Sequence, residues 1–181
     1  MLIGKRVRLR AIERMDLELY VKWLNDPEVR RHLTIYQPMS MAQEETWYEN
    51  NLKNSLNEQP LAIEIDKSGK WTLIGNIGLM DFDYRIQSAE LGLFIGDKRE
   101  WGKGYGKDAI CLMLTHAFNS LNLNRVFLRV YEDNSRGIRL YEKIGFIHEG
   151  RLREAVFDSG SFKDVLIMSI LRSEWKDCEE L

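Results

Sequence analysis

The run LGLFIGDKREWGKGYGKDA, Leu91 to Ala109, decides how this chain is read. An apolar strand ending near Gly96 turns a charged corner. It then enters a loop with glycine at alternate positions, Gly102, Gly104 and Gly106, which opens a helix. Such a turn leaves several backbone N–H groups unpaired at the positive end of a helix dipole, and that arrangement holds phosphate. Three alternating glycines are more than one tight turn needs, so a ligand is expected. Lys103 and Lys107 stand where they would assist.

Two familiar phosphate motifs fail against these residues. A Walker loop needs glycine five positions before a Gly-Lys pair and Ser or Thr after it. Here Gly106-Lys107 has Trp101 at that offset and Asp108 next. A dinucleotide fingerprint fits Gly104, Gly106 and Ala109, with Glu132 further on. In that fold, however, the strand runs directly into the first glycine. Here Lys98 to Lys103 intervene.

Working outward, Arg6 to Ile12 alternates basic and apolar residues, a half-buried strand. Asp16 is expected to cap a helix with the apolar stripe Leu17, Tyr20, Val21 and Leu24. Asp26-Pro27 starts a short helical turn to Arg31. Ser40 and Gln43 form a capping box for a helix to about Leu56. Strands are expected at Leu61–Asp66, Trp71–Met80, Ala89–Gly96, Arg125–Tyr131, Leu152–Phe157 and Asp164–Leu171, with turns at Lys67–Lys70 and Asp158–Ser161. Helices are expected from the glycine loop to about Ser120 and from Ser135 to Ile144, where Gly145 ends the second. This is a mixed α/β pattern with helices covering a central sheet.

The 181 residues suit one domain spanning 1–181. The composition, 44% hydrophobic and 30% charged, is that of a globular protein. A net charge of −2 without a basic run gives no indication of nucleic acid. No apolar run approaches the ~20 residues a bilayer demands, so no membrane partner is expected. The N-terminal MLIGKRVRLR lacks a secretory core, and Cys111 and Cys178 show neither metal spacing nor a disulfide framework. A cytoplasmic location without a bound metal is expected. The apolar content is compatible with a homodimer.

The segment Asn134 to Phe146 supplies a second constellation. Asn134 and Tyr141 are seven apart, two helical turns, so they share a face. Together with Trp101-Gly102-Lys103-Gly104-Tyr105-Gly106, about thirty residues upstream, this segment resembles the GNAT superfamily of acetyl-CoA-dependent N-acetyltransferases. That family's loop reads Gln/Arg-x-x-Gly-x-Gly/Ala, and its second segment N-x-x-(small)-x-x-x-Y-x-x-x-G-F. The glycines match, while Trp101 departs from the usual glutamine or arginine. The opening RVRLRAIERMDLELYVKWLNDPEV and the closing GRLREAVFDSGSFKDVLIMSIL resemble the branch with ribosomal-protein alpha-amine and spermidine acetyltransferases.

The resemblance implies a largely antiparallel central sheet splayed between two strands, with helices on both faces, and direct acetyl transfer to a primary amine. That amine would belong to a protein N-terminus or a small molecule, with a polyamine as the alternative. It implies cofactor contacts from Leu93, Phe94, Ile95, Trp101, Gly102, Lys103, Gly104, Tyr105, Gly106, Lys107, Asn134 and Tyr141, with a backbone amide near Leu93–Ile95 for the oxyanion. Tyr141 would be the acid: a phenol near ~10 is still protonated beside a thiol near ~8.5. An attacking amine must lose its proton to a carboxylate. Glu90, opening the strand, is the candidate base. Asp81 and Asp83, at the end of the preceding strand, are the alternatives for the base and are expected to meet the acceptor, and Tyr36 lies in a loop expected to wall the acceptor cleft beside Glu44, Glu45 and Glu49. A CoA-binding module without turnover is a further alternative.

Overall fold

Val7 and Leu9 are buried, while Arg8 and Arg10 between them take the opposite side. That alternation makes the first long strand of this computed structural model, which describes residues 1–158 and 160–176. The elements in chain order begin with β1 (Leu2–Ile3), β2 (Val7–Ala11), α1 (Leu17–Leu24), α2 (Pro27–Arg30) and α3 (Met41–Asn51). Next come β3 (Leu61–Lys67), β4 (Lys70–Asp83), β5 (Ser88–Ile95) and α4 (Tyr105–Thr115). The chain continues through β6 (Arg125–Tyr131), α5 (Ser135–Ile144), β7 (Ile147–Asp158) and β8 (Ser161–Leu171). The strands pair mostly antiparallel, so the fold is the mixed α/β class expected.

Two compact units emerge, each built from two stretches of chain: Met1–Leu79 with Gly92–Met113, and Met80–Leu91 with the chain from Leu114 onward. In the first unit β1, β2, β3 and β4 lie in that order, all antiparallel. The β3–β4 turn needs two left-handed residues, Ser68 at φ 56° and Gly69 at φ 84°. Asp66 accepts the Gly69 N–H at 2.6 Å and closes it. Tyr20 and Trp23 of α1 pack with Ile12, Leu17, Val29, Ala62 and Leu73, and Trp47 and Phe94 lean on this core.

Asp16 does not cap α1 through its side chain. It is the third residue of a capping box begun by Glu13, whose N–H it accepts at 2.8 Å. Arg10 binds the same carboxylate with two nitrogens, at 2.7 and 2.8 Å. The Ser40–Gln43 box forms as expected. The helix it opens ends at Asn51, and a separate 3-10 turn, Leu56–Glu58, takes up the rest.

In the second unit the order is β5, β6, β8, β7. β5 and β6 run parallel, in register only from Ser88↔Arg125 to Glu90↔Phe127. β7 begins at Ile147, earlier than the sequence suggests. Its register shifts between Leu152 and Val156, where Glu154 takes φ 51° and donates its N–H to Asp164 at 2.8 Å. Ser159, in the turn expected there, lies outside the described residues, as does Cys178. Cys111 is buried and is not a free thiol, although the cysteine positions show no disulfide framework in the sequence.

Candidate active site

The charged corner before the glycine loop is fastened on every side. Asp97 accepts the Arg99 N–H at 3.1 Å. Lys98 reaches Asp26 at 2.7 Å and Glu28 at 2.9 Å. Buried Glu100 holds Lys67 at 2.7 Å and Lys103 at 3.0 Å. The corner is therefore a rigid support for the glycine loop.

Gly102 and Gly104 sit at φ 76° and 88°, the left-handed region that favours glycine. The first N–H of the following helix to find a carbonyl is that of Asp108, bound to Gly104 at 3.1 Å. The N–H groups of Gly102 through Lys107 have no acceptor among the described residues. Lys107 likewise has no ion pair there, whereas Lys103 is spent on Glu100. A row of unspent donors with one unspent ammonium fits a pyrophosphate.

Two residues shape this loop. Arg6 binds Asp108 at 2.7 Å and the Lys103 carbonyl at 3.2 Å, and lies 5.3 Å from the Tyr105 ring centre. A side chain on Gly104 would stand 2.8 Å from the Arg6 guanidinium. Nothing in the sequence singles out Arg6, because its alternation with Arg8 and Arg10 marks only a basic strand face. Trp101, the departure from the family's pattern, donates its indole N–H to the Ile95 carbonyl at 2.7 Å.

Leu93, Phe94 and Ile95 are half-buried at the end of β5. The Phe94 carbonyl comes so close to Gly75 that a Cβ there would collide with it. The Phe94 ring centre lies 6.0 Å from Tyr20 and 6.5 Å from Trp23. Tyr36 is exposed, on a loop whose far end is held where Asn25 exchanges two hydrogen bonds with Met39, at 2.7 and 2.8 Å. The three α3 glutamates part company: Glu45 and Glu49 lie in the open against Arg14, and Glu44 is buried.

The second unit brings Glu90 and Asp81 together. Burial raises the pKa of the Glu90 carboxyl, the Arg129 guanidinium at 3.3 Å draws it back, and hydrogen-bonded Asp81 raises it again. Asp81 reaches this place from a left-handed kink at φ 51° in β4. Asp83 is occupied elsewhere, accepting the N–H groups of Arg85 and Ile86 at 2.9 and 3.2 Å. Arg129 is a second residue without a local signal in the sequence, as it lies mid-strand on the exposed side of β6.

Asn134 caps α5 by accepting the Gly137 N–H at 3.0 Å, and Gly137 leaves no room for a Cβ beside it. Its amide NH2 remains available as a donor. Two turns on, the Tyr141 ring packs edge-on to Phe146 at 5.8 Å. The Tyr141 hydroxyl has no hydrogen-bond partner among the described residues, and burial pushes its pKa up to about 12. The glycine loop belongs to the first unit, and Glu90, Asn134 and Tyr141 to the second.

Known proteins resemble this chain along most of its length. Residues 6–147 match the family model for the acetyltransferase (GNAT) domain. The spermidine N(1)-acetyltransferase of Vibrio cholerae is 29% identical over 98% of this chain and 100% of its own. The putative ribosomal N-acetyltransferase YdaF of Bacillus subtilis is 26% identical over 96% of each. The crystal structure of the Vibrio cholerae spermidine N-acetyltransferase with CoA and spermine superposes with a TM-score of 0.86 at 30% identity. That match covers 94% of this chain and 98% of the other.

Proposed function

Because this chain belongs to the GNAT acetyltransferase family and uses acetyl-CoA as co-substrate, we propose that it acetylates a primary amine of an aliphatic polyamine of the spermidine class. The observation that carries this reading is the whole-length likeness, at a TM-score of 0.86, to an enzyme solved with CoA and spermine. A protein N-terminal amine is the second reading, favoured by the likeness to YdaF.

The bound co-substrate supplies an acetyl group activated as a thioester. The N–H groups of Gly102 to Lys107 and the Lys107 ammonium hold its pyrophosphate, and the Asn134 amide donates to its arm. A backbone N–H within Leu93–Ile95 faces the carbonyl oxygen on which negative charge develops. The Ile95 carbonyl is already engaged by Trp101.

Glu90 removes the amine proton, directly or through a water. Its raised pKa narrows the gap to an amine near ~10, and the nearby Asp81 and Arg129 set how far it is raised. The amine nitrogen then forms its bond to the acetyl carbon as the carbon–sulfur bond breaks. Tyr141 keeps its proton through the neutral range, gives it to the departing sulfur, and is reprotonated at the expense of the second proton that the nitrogen sheds on becoming an amide. The products are an N-acetyl amine and free CoA thiol.

The test is thiol release with spermidine, spermine, n-butylamine and a peptide with a free N-terminus. Spermidine or spermine is expected to show the highest kcat/KM. A peptide outrunning both polyamines would replace this reading with the second.

A further inference from the structure

Asp108 puts a negative charge where the co-substrate brings its own. It lies in the first turn of α4, next to Lys107, and its N–H is the first of that helix to find a carbonyl. The helix dipole favours a carboxylate at this end. It favours a pyrophosphate at the same place, so the two anions compete for one positive pole. The ammonium groups make the conflict sharper. Lys103 is taken by Glu100, and Lys107 is the one left without an ion pair among the described residues. An uncompensated Asp108 would cancel it.

Arg6 removes the conflict. Its Nε donates to the Asp108 carboxylate at 2.7 Å, and one terminal nitrogen donates to the Lys103 carbonyl at 3.2 Å. The other terminal nitrogen lies 2.8 Å from where a Gly104 Cβ would stand, and the guanidinium is 5.3 Å from the Tyr105 ring centre. No other cation reaches Asp108 among the described residues. All of these groups belong to the first unit. The pair is open to water, with side chains 52% and 27% exposed. An ion pair so placed contributes little to folding. It matters more to a pyrophosphate seated on the same turn of helix, which meets the Asp108 charge at short range.

We propose that Arg6 is a charge shield for the pyrophosphate site, neutralising Asp108 so that the first turn of α4 receives phosphate instead of repelling it. Asp108 in turn stabilises the empty helix end. Because Arg6 acts through Asp108, it is a positioning residue. The proposal rests on the use of acetyl-CoA and is indifferent to which amine accepts the acetyl group.

The experiment is calorimetric titration of CoA into the wild type, Arg6→Gln, Arg6→Lys, Asp108→Asn and the double variant Arg6→Gln with Asp108→Asn, with melting curves to confirm folding. Arg6→Gln uncovers the Asp108 charge and should weaken CoA binding roughly tenfold or more at about 0.01 M salt, a deficit that shrinks at about 1 M. Removing the carboxylate as well should restore affinity to within about twofold of the wild type. Arg6→Lys keeps the charge and should bind nearly as the wild type does. Asp108→Asn alone should bind at least as tightly as the wild type, because Arg6 is then unspent. An Arg6→Gln protein that binds normally overturns the shield. So does a double variant no better than Arg6→Gln, or a deficit that salt leaves unchanged, since either makes the pair a mechanical tether. Should Arg6→Gln fail to fold, Asp108→Asn decides alone: undiminished affinity upholds the shield, and any loss overturns it. Failure of the polyamine reading appears in thiol release and leaves these titrations unaffected.

Discussion

The indole N–H of Trp101 donates to the Ile95 carbonyl at 2.7 Å, tying the first residue of the glycine-loop motif to the last residue of β5. The long polar side chain usual at this position in the family is replaced by a ring that bonds through one nitrogen and otherwise packs against the first unit's aromatic core. Trp101→Phe keeps the ring and removes the donor, leaving a partly buried carbonyl unsatisfied. A loss of about 1–2 kcal/mol in denaturant unfolding is expected, with weaker CoA binding because the loop loses its anchor. A variant as stable as the wild type would mean that the bond contributes nothing to holding the loop.

Gly102 and Gly104 share a left-handed backbone but differ in their neighbours. A Cβ on Gly102 meets nothing within 4 Å, while one on Gly104 meets Arg6 at 2.8 Å. Gly102→Ala should therefore cost backbone strain alone, about 1–2 kcal/mol. Gly104→Ala should cost more, because Arg6 must also leave Asp108 or the Lys103 carbonyl. A double-mutant cycle with Arg6→Ala reads the difference: the excess at Gly104 should shrink in that background. Strictly additive costs would show that Arg6 does not brace the loop.

The residues that declared themselves in the sequence did so through backbone chemistry. Gly102 and Gly104, the Ser40–Gln43 box and Gly145 each answer a local geometric need, and each appears where expected, whereas Gly106 lies inside α4. Arg6 and Arg129 were hidden because their roles depend on partners far away in the chain, and Glu44 was named only together with Glu45 and Glu49. Arg6 meets Asp108 across 102 residues, and Glu44 differs from Glu45 only in which side of α3 it occupies. Local pattern also misled at Asp16, where an acidic residue before an apolar stripe reads as a cap although its carboxylate serves Arg10 and Glu13. In β7 the kink at Glu154 breaks the alternation that marks strands, so only the later part of that strand was visible.

Arg129 offers a test of Glu90 as the base. Its guanidinium lowers a carboxyl pKa that burial and Asp81 raise. Replacing it with methionine should push the Glu90 pKa further up, moving the acidic limb of the kcat/KM–pH profile to higher pH. Glu90→Gln should abolish that limb along with most of the rate. An acidic limb that stays in place in Arg129→Met would assign proton removal to another group.

For Tyr141, the pKa near 12 means that the phenol remains protonated well beyond neutral pH. Activity should show no alkaline loss attributable to Tyr141 below about pH 10. Tyr141→Phe should lower kcat roughly 10²-fold or more, with CoA affinity nearly preserved. The pair of results is diagnostic. A lowered affinity with intact kcat would make the tyrosine a packing residue, and an unaltered rate would remove it from the mechanism.

Glu44 makes a prediction about stability that needs no substrate. Its folded pKa, about 7, lies above the ordinary carboxyl value of 4.5. In the folded protein it therefore keeps a proton that the unfolded chain gives up between those two values. Stability linked to this group is fully present below about pH 4.5, falls as pH rises through 7, and is absent above it. Glu44→Gln is neutral at every pH and escapes that loss. It should match the wild type near pH 4 and exceed it at pH 8 by on the order of 1–3 kcal/mol. Equal unfolding free energies for wild type and Glu44→Gln at pH 8 would show that the carboxylate is already compensated in the folded protein.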